Sequence, residues 1–142
     1  MNPFDLAESV KTHLEAGSFS VPADYLVEVP QVDISDYEKC RVVILPGTDD
    51  IENADRSGSS DDLTIDIAIQ KKLENTDIGQ IKTLAGYVQE LRAALERVNF
   101  TDSENVTWLQ QSILIDPVFN FAHARENLLF SSSISIVYCT RP

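Results

Sequence analysis

Cysteine and histidine are scarce in this chain, with two of each among 142 residues. Cys40 and Cys139 lie far apart in the sequence, each inside an apolar run. Two isolated cysteines make neither a disulfide framework nor a zinc site, so both are expected as small buried core residues in a reducing compartment. His13 and His123 fall in no HExxH arrangement and near no cysteine pair, which removes metal-ligand spacing. His13 has acidic neighbours on a helix and is expected to be exposed. A lone His123 would need a nucleophile and an orienting partner to act as a base. Glycine is also thin, five in all and none clustered, so no phosphate-cradling loop exists. There is no GxSxG elbow and no CxxC pair. These absences predict a protein that is not an enzyme and takes no cofactor or metal.

Long apolar runs are missing too. None approaches the roughly 18 residues that cross a bilayer. Met1 to Val10 carries Asp5 and Glu8 and no basic residue, unlike a secretory signal. The expectation is a soluble chain without a membrane partner, made and kept in a cytoplasm. Positive charge is short as well: 11 basic against 23 acidic residues give a net charge of −12. Such a surface repels phosphate at long range, and a direct grip on nucleic acid needs a basic stripe. Gripping DNA is excluded; lying near it is not.

What the chain does have is 43% hydrophobic residues, close to the globular norm. Its length fits one domain, spanning residues 1–142, which buries about two-thirds of its unfolded surface without staples. Asn2-Pro3 opens a helix over 3–16, with Phe4, Ala7, Val10 and Leu14 on one side, interrupted by Lys11, and Gly17 as its stop. Tyr25 to Val29 reads as a strand between Pro22 and Pro30, and Cys40 to Leu45 as a second, ended by Pro46-Gly47. Leu63 to Gln70 is the clearest strand: Leu63, Ile65, Ile67 and Ile69 alternate with Thr64, Asp66, Ala68 and Gln70, giving one buried and one wet face. Asp66 therefore points to water.

Residues 77–98 form the longest predicted helix, opened by Asp77 and Gln80 in a capping-box-like pair. Ile78, Ile81, Leu84, Ala85, Val88, Leu91, Leu95 and Val98 keep helical spacing, and such a helix covers a sheet. Trp108 to Ile115 is a further strand with Leu109, Ile113 and Ile115 on one face and Gln111 as an interruption. Residues 118–128 have room for one or two helical turns. Phe130 to Tyr138 closes the chain as a strand. The fold class is thus α+β: a mostly antiparallel sheet of about five strands, packed by one long and one or two short helices.

Residues 48–62 form an acidic inter-strand loop, long for a compact domain and of a kind that is often functional or flexible. Its Asn53-Ala54-Asp55-Arg56-Ser57-Gly58 mimics the start of a calcium loop. The twelfth position, which needs a bidentate Glu, is Thr64, so that reading fails. Asp49, Asp50, Glu52, Asp55, Arg56, Asp61 and Asp62 remain as a candidate partner-contact loop.

Taken together, the order of elements has a parallel. The opening helix is followed by Val42-Val43-Ile44-Leu45-Pro46, then by an acidic loop holding Asp55-Arg56. Next come the alternating Thr64-Ile65-Asp66-Ile67-Ala68-Ile69 and a long helix with Leu84, Val88 and Leu91. Asp116-Pro117-Val118-Phe119 and the last strand complete it. In this order the chain resembles the tail terminator, or tail completion, proteins of long-tailed bacteriophages. The resemblance implies a homo-oligomer, a hexameric ring at the head-proximal end of the tail tube in a virion assembled in the host cytoplasm. It implies two protein partners, the tail tube protein and the head-tail connector or stopper, with DNA passing through without specific binding. It places the acidic loop against a neighbouring ring and brings no catalytic residue. Two other readings stand beside it: a different neck protein, such as a stopper or connector-associated subunit, and an acidic, non-catalytic protein-binding adaptor. An acidic ring wall keeps a DNA passage slippery, and six such subunits repel one another, so their contacts must bury apolar or paired surface. Unpaired strand edges invite joining by β-augmentation.

Overall fold

The computed structural model describes residues 3–27, 39–46, 62–73, 78–101, 107–115 and 129–139. The opening helix, α1 (Pro3–Glu15), buries Leu6, Ala7, Val10 and Leu14, while Phe4 is 42% exposed. The apolar stripe is therefore centred on Leu6, Val10 and Leu14, at spacings of four, and not on Phe4. Gly17 follows the helix, its N–H donating to the Leu14 carbonyl at 3.1 Å. A Cβ there would meet the Phe19 ring at 2.9 Å, so any larger residue at 17 would make that ring shift.

Among the described residues six strands form one sheet in the order β1-β2-β3-β6-β5-β4. They are β1 (Ala23–Leu26), β2 (Cys40–Pro46), β3 (Asp62–Lys72), β4 (Phe100–Thr101), β5 (Thr107–Ile115) and β6 (Leu129–Cys139). β1 runs parallel to β2, and every other pairing is antiparallel. The second helix is α2 (Ile78–Leu95). The shorter α1 lies against β1, β2 and β3, whereas α2 meets β6 and α1.

This corrects the expected fold class, a mostly antiparallel sheet of about five strands packed by one long and one or two short helices. The sheet is mixed and has six strands, and the short helix shares the covering role. Two features escaped the sequence pattern for physical reasons. β4 is two residues long, too short to show any alternation. β1 belongs to its sheet by a parallel pairing, Ala23 with Cys40 through Leu26 with Val43, which no local periodicity encodes. The predicted turns at 118–128 lie outside the described residues.

β3 and β6 are the longest strands and pair along their whole length, from Asp62 with Cys139 to Lys72 with Leu129. Ile65, Ile67 and Ile69 stand opposite Ile136, Ile134 and Ser132. With Leu63, Phe130 and Tyr138 these residues form the floor of the core, and Leu84, Tyr87, Val88, Leu91 and Leu95 of α2 form part of its roof. The reverse side of the sheet carries Thr64, Asp66, Ala68, Ser131, Ser133 and Ser135. It is not uniformly wet: Asp66 is exposed, but Arg41, Val43, Gln70 and Cys139 are buried there.

Candidate functional site

The two helices meet the sheet through polar contacts as well as apolar ones. His13 Nε2 lies 2.9 Å from the Ala94 carbonyl oxygen, and its ring sits edge-on to Phe100 at 5.9 Å. His13 is half-buried, not exposed as expected, because α2 and β4 close over the end of α1. One ring nitrogen is thus committed to tying the helices together. The Tyr25 and Tyr87 hydroxyls lie 2.7 Å apart, joining β1 to α2. Beside them, the Ser20 N–H and hydroxyl both donate to the Glu90 carboxylate.

These groups are poorly suited to proton transfer at neutral pH. Burial raises the Tyr87 phenol well above its ordinary value, and its hydrogen bond with Tyr25 adds to the rise. Burial also raises Tyr25, partly offset by the Tyr87 contact. The Cys40 thiol is pushed up to about 12 by burial, with Lys71 pulling weakly the other way. A buried thiol held in that form is a core residue and a weak nucleophile. Cys139 is also buried and reduced. Among the described residues no group of three or more His, Cys, Asp or Glu side chains could hold a metal ion. Among them, too, no helix is long and apolar enough to cross a membrane.

A different feature stands out at the far side of the sheet. β5 bulges between Gln110 and Ser112, inserting Gln111 as an extra residue. Before the bulge Trp108 and Gln110 face the core; after it Ile113 and Ile115 do, opposite Ile136 and Ile134. Leu109, Ser112 and Leu114 face the reverse side, opposite Cys139, Val137 and Ser135. The expectation that Leu109 shares a face with Ile113 and Ile115 is therefore corrected: one inserted residue flips the alternation.

Gln110 gains a structural task from that placement. Its Nε2 donates to the Leu95 carbonyl at 2.6 Å, and its Oε1 accepts from the Arg97 N–H at 2.9 Å. The side chain thereby satisfies two end groups of α2, just where Arg97 adopts a left-handed φ of 61°. The Gln110 N–H in turn donates to Asn99 Oδ1 at 3.0 Å. No sequence pattern singles out Gln110, since its partners come from a helix end and a turn.

The outer edge of β5 is nearly bare. β4 pairs only Phe100 with Trp108 and Thr101 with Thr107. Among the described residues no strand pairs with β5 beyond that point. Gln111, Ser112 and Leu114 are exposed, Leu114 at 60%. The edge carries no charged side chain, since the strand reads TWLQQSILI.

Of the predicted contact residues, Asp62 opens β3 opposite Cys139. Asp49, Asp50, Glu52, Asp55, Arg56 and Asp61 lie outside the described residues, as does His123. No protein-family model matches the chain, and no curated protein does. The functional reading therefore stands on residues and geometry.

Proposed function

We propose that this chain is a structural virion subunit resembling a phage tail terminator. In this reading it forms a homo-oligomeric ring at the head-proximal end of the tail tube, stops tube growth and joins the tail to the head connector. The observation that carries the reading is how the chain spends its polar groups. His13 ties one helix to the other, Tyr25, Tyr87 and Gln110 tie helix to strand, and what stands out beyond these internal ties is a surface, the long uncharged edge of β5. A surface of that kind suits subunit contact. The net charge of −12 adds to this, because an acidic wall repels DNA phosphate and lets the duplex slide through.

Electron microscopy tests the reading directly. The purified chain, mixed with tail tubes of the phage that encodes it, should cap one end of each tube, and loss of its gene should give tubes of unregulated length. Tubes of unchanged length and uncapped ends would sink it. The acidic loop offers a finer test. In β2 and β3, Pro46 stands opposite Ile65 while β3 stays paired with β6 back to Asp62, so the connection must reach past the end of β2, and removing residues 51–58 still leaves seven residues to make it. The shortened chain should fold with little change in stability and dock more weakly. A collapse of thermal stability would make those residues part of the fold instead of a contact loop.

A further inference from the structure

The sheet has two edges, and they are built differently. At one, β1 is four residues long, follows Pro22, and carries Asp24 within 4.0 Å of Lys39 Nζ. Short length, proline and charge are the usual means of blocking an edge against another chain. At the other, β5 is nine residues long and has no charge, no proline and no glycine. Its bulge at Gln111 is its one feature of that protective kind.

We propose that the outer edge of β5, from Leu109 to Ile115, pairs antiparallel with the same segment of a second copy of this chain. Charge favours this occupant. Two copies, each carrying −12, repel across most of their surfaces, and a contact forms most readily where both sides are neutral. Self-pairing of β5 meets that condition, since it buries only Leu, Gln, Ser and Ile against the same set. Direction also fits, because a strand paired with its own copy about a two-fold axis runs antiparallel, the commonest symmetry of oligomers. Leu114, exposed on the reverse side of the sheet, lies on this edge and gains a cross-strand neighbour from the pairing. A contact of one strand edge is small, so the dimer is weak and concentration-dependent. It goes beyond the ring reading and does not rest on it. A two-fold pair presents the same edge twice, so it cannot be the contact that closes a ring with one face to the tube and the other to the connector. Where the ring uses this same edge, the dimer must open before the ring forms.

Sedimentation velocity of the purified chain, over a range of concentrations in low and high salt, tests the pairing. A dimer should grow with concentration and with salt. Ser112→Lys should raise its dissociation constant by about tenfold or more, because a lysine on each copy would then face its like. Leu114→Lys should act the same way and serves as the second variant should the first misfold, with circular dichroism reporting folding in each. Thr83→Lys, on the exposed side of α2, should leave the dimer intact. Hydrogen exchange should show amides 109–115 gaining protection as concentration rises. A chain that stays monomeric under all these conditions overturns the proposal. So does a dimer that both edge variants leave unchanged, or one that Thr83→Lys breaks. None of those outcomes decides the ring reading, which is judged on tail tubes.

Discussion

In β3 and β6 every second side chain from Leu63 to Ile69 and from Phe130 to Tyr138 is buried, and all but Ser132 are apolar. In β5 the alternation is interrupted at Gln111, Leu114 is exposed, and Ile113 and Ile115 are only half-buried. The residue types in the two regions are similar; neighbours make the difference. The central strands have a partner on each side and helices above. β5 has β6 on one side and, among the described residues, only the two-residue β4 on the other. An isoleucine in the centre is thus a stability residue, while a leucine at the edge is available for contact.

The sharpest way to break that comparison is to truncate one residue in each region. Ile136 is fully buried opposite Ile65 and Ile113. Ile136→Ala should cost about 2–5 kcal/mol, read as a fall in the urea midpoint, because a cavity is left between two strands and the helix layer. A loss below about 1 kcal/mol would mean that the centre relaxes as easily as the edge.

Alkali should act on the covered side as well, since the buried ionisable groups are concentrated there. Burial raises Cys40, Tyr25, Tyr87 and Tyr138 above their ordinary values, with Gln110 offsetting part of the rise at Tyr138. The folded chain therefore holds these protons longer than the unfolded chain does. Their contribution is fully present below the unfolded value, near 9 for the thiol, and is lost as pH rises towards about 12. Stability measured by denaturant should fall steadily across that window. Cys40→Ala should flatten the slope in its lower part, even if it lowers stability at neutral pH. An unchanged slope would mean that the thiol does not contribute.

Gln110 sits where the two regions join. Gln110→Ala removes both contacts to the end of α2, with Leu95 O and Arg97 N, and should cost about 1–3 kcal/mol. The loss should appear as faster amide exchange over the last turn of α2, with β3 and β6 unaffected. Faster exchange throughout the sheet would show that the helix end and the centre unfold together.

How much of this was legible follows the same division. The alternation in β3 was readable because each of its apolar residues faces one continuous core, so a period of two survives along the strand. α2 was readable for the same reason, though its first residue, Ile78, proved 66% exposed. The six-stranded mixed order was not, because a parallel β1 and a two-residue β4 are defined by partners and not by their own pattern. The bulge was illegible too: Gln111 looked like a polar interruption in a regular strand, yet it reset the faces of Leu109 and Ile113. As for the site, the sequence drew notice to the acidic loop. The β5 edge became visible only once the sheet order was known, since an edge is a missing neighbour.

The smallest effect on stability is expected at Leu114, and there the comparison is tested most finely. The side chain is 60% exposed in the single chain, so Leu114→Ser removes little buried area and should shift stability by less than about 0.5 kcal/mol. Its neighbour across the β5–β6 pairing is Ser135, which offers little apolar surface to lose. If the edge is a contact for a second copy, the same substitution should weaken association at unchanged stability, because the leucine is buried only in the pair. Ile136→Ala should do the reverse, lowering stability while the remaining folded chain still associates. A Leu114→Ser chain that loses several kcal/mol would place that leucine in the fold itself. A chain unchanged in both stability and association would leave the leucine outside both the core and the interface.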